Sequence, residues 1–143
     1  MDYDKVSAQD FGRSLHGLSV NLLVCDVLAE VDFLTAVFGM QAPGATVDFA
    51  IVLHANQPFQ LHSDRSFSAH PLHSLLPESG PRGAGIELRL HEADPDAAVL
   101  VASQFATAMV LQQPMDKPGH GLREAVILCP DGYAWVPSRR LLG

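Results

Sequence analysis

The 143-residue sequence predicts an α+β fold: two βαβββ modules pairing into an incomplete barrel around a ligand cup, with the helices outside. Three observations lead there. An alternating apolar stretch runs directly into an amphipathic helical stretch over residues 18–38. The same order returns over residues 85–105. After each, short strand-like runs are separated by Pro and Gly turn signals. A module of about fifty residues buries too little surface to stand alone, so two are expected to pair edge to edge.

Residues 1–16 read as a polar N-terminal arm, with a short helix from Ser7 to Leu15 that Gly17 ends. The arm is expected to pack on the domain or on a partner chain. The first module spans 17–63. Residues 18–25 alternate, with Val20, Leu22 and Val24 on one face and Ser19, Asn21 and Leu23 on the other. Asp26 is a carboxylate N-cap, and Val27, Val31, Leu34 and Phe38 recur at helical spacing. Gly39 suits a left-handed C-terminal stop. Pro43 and Gly44 mark a turn, 47–54 a strand, Ala55 to Pro58 a turn and 59–62 the last strand.

Residues 64–83 are rich in Ser, His, Pro and Gly and read as a linker, with one helical turn near His73 to Leu76. The second module spans 84–140. Its strand is 85–91, and Asp94-Pro95-Asp96 starts a helix that runs to Phe105. A strand over 108–112, a loop over 114–121 and a strand over 122–128 follow. Pro130-Asp131-Gly132 makes a tight turn, with Asp131 as its side-chain brace, before the closing strand from Tyr133 to Ser138. Tyr133 and Trp135 alternate with Ala134 and Val136 and are expected in the core under a helix.

Composition removes several function classes. The apolar fraction is 48 %, and no apolar run approaches the roughly 18 residues of a membrane span. The acidic start, Met1-Asp2-Tyr3-Asp4-Lys5, lacks the layout of a signal peptide, so a cytoplasmic protein is expected. The net charge of −7, without a Lys/Arg cluster, argues against a nucleic-acid partner. An acidic surface attracts cations weakly and in a salt-dependent way, so a small-molecule partner that is cationic is one option. Cys25 and Cys129 lie far apart and in no metal-like spacing, which suits reduced structural thiols.

Two passages carry a family resemblance. Asn21-Leu22-Leu23-Val24-Cys25-Asp26, ending at Phe38-Gly39-Met40, resembles the first-module signature of the vicinal oxygen chelate superfamily. That superfamily includes glyoxalase I, extradiol dioxygenases and the bleomycin- and fosfomycin-resistance proteins. Leu122-Arg123-Glu124-Ala125 with Pro130-Asp131-Gly132-Tyr133 resembles the closing hairpin of its second module, so the resemblance covers about residues 17–140. It implies a divalent metal held by a His or Gln from the first strand of each module and a Glu from the last. By register those positions fall on Ser19, Gln60, Gly85 and Val136. Gly85 and Val136 have no side-chain donor, and a serine with an amide cannot hold a divalent ion against water. The expectation is therefore no metal and no cofactor. A register slip of two residues keeps the faces and brings Asn21, His62, Glu87 and Ser138 or Ala134 into play. The resemblance also implies a homodimer, because the family commonly pairs modules across chains.

The cup is then expected to be lined by Ser19, Asn21, Leu23, Gln60, His62, Glu87, Arg89, Ala134, Val136 and Ser138, a mix suited to small-molecule binding. The ligand-binding set is Ser19, Asn21, Gln60, His62, Glu87, Arg89, Val136 and Ser138; catalytic residues are not identified. Glu87 and Arg89 share a face, as a partly exposed ion pair or as ligand contacts. Arg123-Glu124 reads as an exposed edge pair. There are seven His (16, 54, 62, 70, 73, 91 and 120); those in the Pro/Gly/Ser-rich loops are ordinarily solvated. The reading that follows is a glyoxalase- or bleomycin-resistance-like protein that binds a small molecule without a catalytic metal. The alternative is a lyase, isomerase or dioxygenase that uses displaced ligands, His62 and Glu87 with a further His, or acid/base chemistry by the same two residues.

Overall fold

The computed structural model describes residues 1–78 and 81–142. Residues 79 and 80 of the expected linker, and residue 143, lie outside the described residues. The chain divides into two compact units, Met1–Thr35 with Gly39–Leu75, and Ala36–Phe38 with Leu76 onward.

The first unit opens with helix α1, Ala8–Ser14, capped by the Ser7 hydroxyl, which accepts from the Asp10 N–H at 3.0 Å. Phe11 is its buried residue and lies edge-on to Tyr3 at 6.2 Å. Strand β1 is Asn21–Val24, shorter than the alternating stretch that contains it. Asp26 caps helix α2, Val27–Phe38, by accepting from the Ala29 N–H. Gly39 at φ 69° closes it, with Gly39 N–H on the Thr35 carbonyl and Met40 N–H on the Leu34 carbonyl. Its buried stripe is Val27, Phe33, Leu34 and Val37 together with Glu30, whereas Val31 and Phe38 are half-buried.

Strands β2, Phe49–His54, and β3, Gln57–Ser63, form a hairpin. The turn needs only Ala55 and Asn56, both with positive φ, as a two-residue hairpin loop requires. Pro58 thus enters β3. It is tolerated because β1 pairs only from Gln60 onward, so no ladder bond is lost there. The sheet order is β1-β3-β2, with β1 parallel and β2 antiparallel to β3. The remaining strand of a full βαβββ module is reduced to one bridge, Gln41 to Leu53, because Pro43 and Gly44 turn the chain away immediately. Two 3-10 turns, Asp64–Phe67 and Pro71–Leu75, occupy the start of the expected linker.

The second unit carries a complete module. Strand β4 is Glu87–Leu90, and helix α3 is Pro95–Ala102, with Asp94 as cap and Pro95 in the first turn. Helix α3 packs against the three remaining strands, β5 (Met109–Lys117), β6 (Leu122–Leu128) and β7 (Ala134–Arg140). The order is β4-β7-β6-β5, with β4 parallel to β7 and the other pairs antiparallel. Strand β5 runs five residues beyond the expected 108–112, through Pro114. It is the outer strand, and register shifts fall between Val110 and Gln112 and between Gln112 and Met115, so the missing Pro114 N–H breaks no regular ladder. Tyr133 and Trp135 are buried, as alternation required.

The turn into β7 is held from outside. Gly132 sits at φ 81°, and an added Cβ would lie 2.4 Å from Pro81 Cα. Asp131 reaches outside its own turn: its carbonyl accepts from the Arg82 N–H, and its carboxylate faces the buried Arg82 guanidinium at 4.0 Å. Gly132→Ala is expected to destabilise by about 3 kcal/mol, since left-handed strain and a backbone clash coincide. Gly119→Ala, with open space around it, is expected to cost less than about 0.5 kcal/mol. Urea unfolding midpoints compare the two directly.

Candidate functional site

Each sheet presents one apolar face and one mixed face. In the first sheet Leu22, Val24, Ala50, Val52 and Leu61 are buried on one side. The ladder sets Asn21 beside Gln60, Leu23 beside His62, and Gln60 and His62 opposite Ile51 and Phe49, all on the other side. Leu23 and Ile51 are buried, Gln60, His62 and Phe49 half-buried, and Asn21 exposed. Ser19 is exposed and precedes β1.

His62 lies between aromatic rings, 5.0 Å from Phe49 and 4.6 Å from Phe67, with His70 4.8 Å beyond Phe67. Burial pushes its pKa down, so the neutral imidazole is favoured. Its Nε2 is buried and has no hydrogen-bond partner among the described residues. Asp48 lies at the start of the hairpin. Hydrogen bonds from Arg65, then Ser63, hold its carboxyl below the ordinary value, which ties the 3-10 turn to the sheet.

The second sheet gathers the stronger electrostatics. Glu87, Arg89, Glu124, Ala134, Val136 and Ser138 share its mixed face. The Arg89 guanidinium donates to Glu87 Oε2 at 3.0 Å and to Glu124 Oε2 in a shorter contact. This second bond arches over β7. Glu124 is 5 % exposed, so it is no edge residue; β6 turns it inward and turns Arg123 outward. Burial alone would push the Glu124 carboxyl up. The Arg89 hydrogen bond and charge, with His120 3.6 Å away, hold it below the ordinary value. Arg123 instead grips Asp96 of α3 and Asp116 of β5. Ser138 is fully buried and donates to the Leu90 carbonyl at 3.3 Å.

The metal positions implied by the resemblance do not fit a divalent ion. Gly85 lies in a turn at φ 89°, and Val136 is fully buried beside Arg89. Among the described residues no three His, Cys, Asp or Glu side chains gather where they could hold a metal. His62 belongs to the first sheet and Glu87 to the second, and neither has a third donor of that kind beside it. Glu124 is the residue of this candidate site that sequence reasoning missed. Alternation shows that one of Arg123 and Glu124 turns inward, but not that Arg89 meets it there.

Glu124→Gln is expected to destabilise by about 1 kcal/mol at pH 7, since a charge-assisted bond is lost beside a partly exposed arginine. A carboxyl held below 4.5 contributes its stability above that pH and loses it as pH falls through the folded value. The gap between the parent protein and Glu124→Gln is therefore expected to narrow below pH 4.5 in urea titrations.

No helix among the described residues is long and apolar enough to cross a membrane. No family model and no curated protein matches the sequence. Solved structures do match. A glyoxalase/bleomycin resistance protein/dioxygenase family enzyme from Burkholderia phytofirmans aligns with TM-score 0.69 and 21 % identity, over 86 % of this chain and 97 % of that one. A glyoxalase-related enzyme from Fulvimarina pelagi aligns with TM-score 0.67 and 14 % identity, over 88 % and 89 %. The fosfomycin resistance protein FosX from Mesorhizobium loti aligns with TM-score 0.61 and 12 % identity, over 90 % and 95 %. The architecture of this chain is the vicinal oxygen chelate fold.

Proposed function

We propose that the chain binds a small molecule on the mixed face of its second sheet and does so without a catalytic metal. The observation that carries this reading is the ladder pairing of Arg89 with Val136. Where the resemblance implies a carboxylate ligand for a metal there is a buried valine, and the positive charge beside it belongs to a fixed side chain. Around it lie the few polar groups and the apolar floor that small-molecule sites use. On this reading the second sheet offers Glu87 and Arg89 to a ligand, with Val136 and Ser138 buried beneath them, and the first sheet by itself offers Gln60 and His62, with Asn21 and Ser19 at its exposed margin.

The reading extends to a cytoplasmic homodimer, checked by light scattering of the purified chain. The enzyme alternative runs through a displaced metal, whose donor set has no third member among the described residues, or through acid/base chemistry by His62 and Glu87.

Dialysis against zinc, manganese, nickel and iron(II), then against metal-free buffer, followed by elemental analysis, tests the proposal. Retention near zero for every metal, together with a thermal-shift response to at least one compound in a small-molecule panel, is expected. One tightly held ion per chain would overturn it and restore the enzyme alternative.

A further inference from the structure

The second sheet contains a transverse row with one residue from each strand. Arg89 pairs with Val136, and Gln112 pairs with Val126. The register of β6 with β7 sets Val126 opposite Val136. Arg89, Val136, Val126 and Gln112 therefore cross the mixed face in line. Three strand spacings separate the ends of the row by ~14 Å at the backbone.

Both ends present unused donors. Gln112 Nε2 is buried and has no partner among the described residues. Its orientation is set, because Gln112 Oε1 accepts from Lys117 Nζ at 3.3 Å. An ammonium only donates, so the reversed amide would place donor against donor. At the other end Glu87 and Glu124 take two of the five N–H donors of Arg89, whose side chain is 28 % exposed. The two valines between offer no acceptor. A buried amide N–H left unpaired costs about 1–3 kcal/mol, so its persistence asks for an acceptor from outside the chain.

We propose that this row anchors a ligand through its carbonyl or carboxylate oxygens, with the Gln112 amide and the Arg89 guanidinium as donors on either side of the half-buried Val126, and Val136 buried beneath. The inference rests on the metal-free binding reading and gives its ligand class: an oxygen-acceptor compound and not a simple cation. Glu124 is a positioning residue, since it holds Arg89 across β7 and leaves the remaining donors free.

The test is a nitrogen-15 NMR titration of the whole chain, reading the Gln112 side-chain amide and the Arg89 Nε–Hε signals. Acetate, acetamide and methylammonium are the probes. Acetate or acetamide is expected to shift both signals saturably. Gln112→Leu and Gln112→Glu are each expected to weaken that binding at least fivefold. Free of ligand, Gln112→Leu is expected to melt no lower than the parent protein, because it removes an unpaired buried donor. Saturation by methylammonium alone, at the Glu87 end, would overturn the oxygen-acceptor class and leave small-molecule binding standing. No saturation by any probe would overturn the row as a site, whatever the panel screen finds elsewhere. A Gln112→Leu melting point lowered by more than ~4 °C would also overturn it, since the amide would then have a structural partner.

Discussion

Each module closes by laying its last strand parallel to its first. The pairings of β1 with β3 and of β4 with β7 decide almost everything else. A parallel return needs a crossover, and α2 and α3 lie on those connections. The return also puts the closing strand in the sheet interior, flanked on both sides. Side chains of the last strand therefore sit between those of the first strand and those of the hairpin. That is why Val136 lies beside Arg89 with Glu124 one strand further on, and why an ion pair can arch over β7. A two-residue change of register would leave the faces intact and replace every neighbour.

The Arg89–Glu124 pair has the energetics of a half-buried bridge. Glu124 is almost wholly removed from water, and Arg89 keeps part of its guanidinium in it. Desolvation works against the carboxylate and the arginine more than offsets it, which is the direction of the Glu124 shift. A divalent ion at the same face would have to displace Arg89 and would find two carboxylates, Glu87 and Glu124, and no third donor of that kind among the described residues. The side-chain cation and the metal are in this sense competing solutions to the same problem of internal charge.

Most of the fold was legible in the sequence because its signals are local. Asp26, Gly39, Asp94 and Pro95 bound their helices at the expected residues, and 122–128 is a strand to the residue. The strand ends and β5 were less legible. Alternation continues outside β1 and β4 where no partner strand is present, and Pro114 reads as a breaker unless the strand is known to be outermost. For the site, alternation placed Glu87, Arg89, Val136 and Ser138 on one face. It could not place Gln112 there, because the two register shifts in β5 erase the parity that connects Gln112 to Met115. Nor could it pair Arg89 with Glu124, since 35 residues separate them in sequence and only strand order brings them together.

Strand β5 has a further consequence. It is nine residues long, it lies at the rim of its sheet, and Met109, Leu111 and Met115 are exposed on it. A long apolar rim of this kind is a template on which another chain's backbone could zip. The two bulges and Pro114 interrupt the spacing of its outward N–H and C=O groups, so an incoming strand would lose alignment within a few residues. The irregularity that hides Gln112 from sequence reading thus also limits fibril-like growth from this rim. Straightening β5 by removing Pro114 would trade that colloidal safety for a more regular sheet.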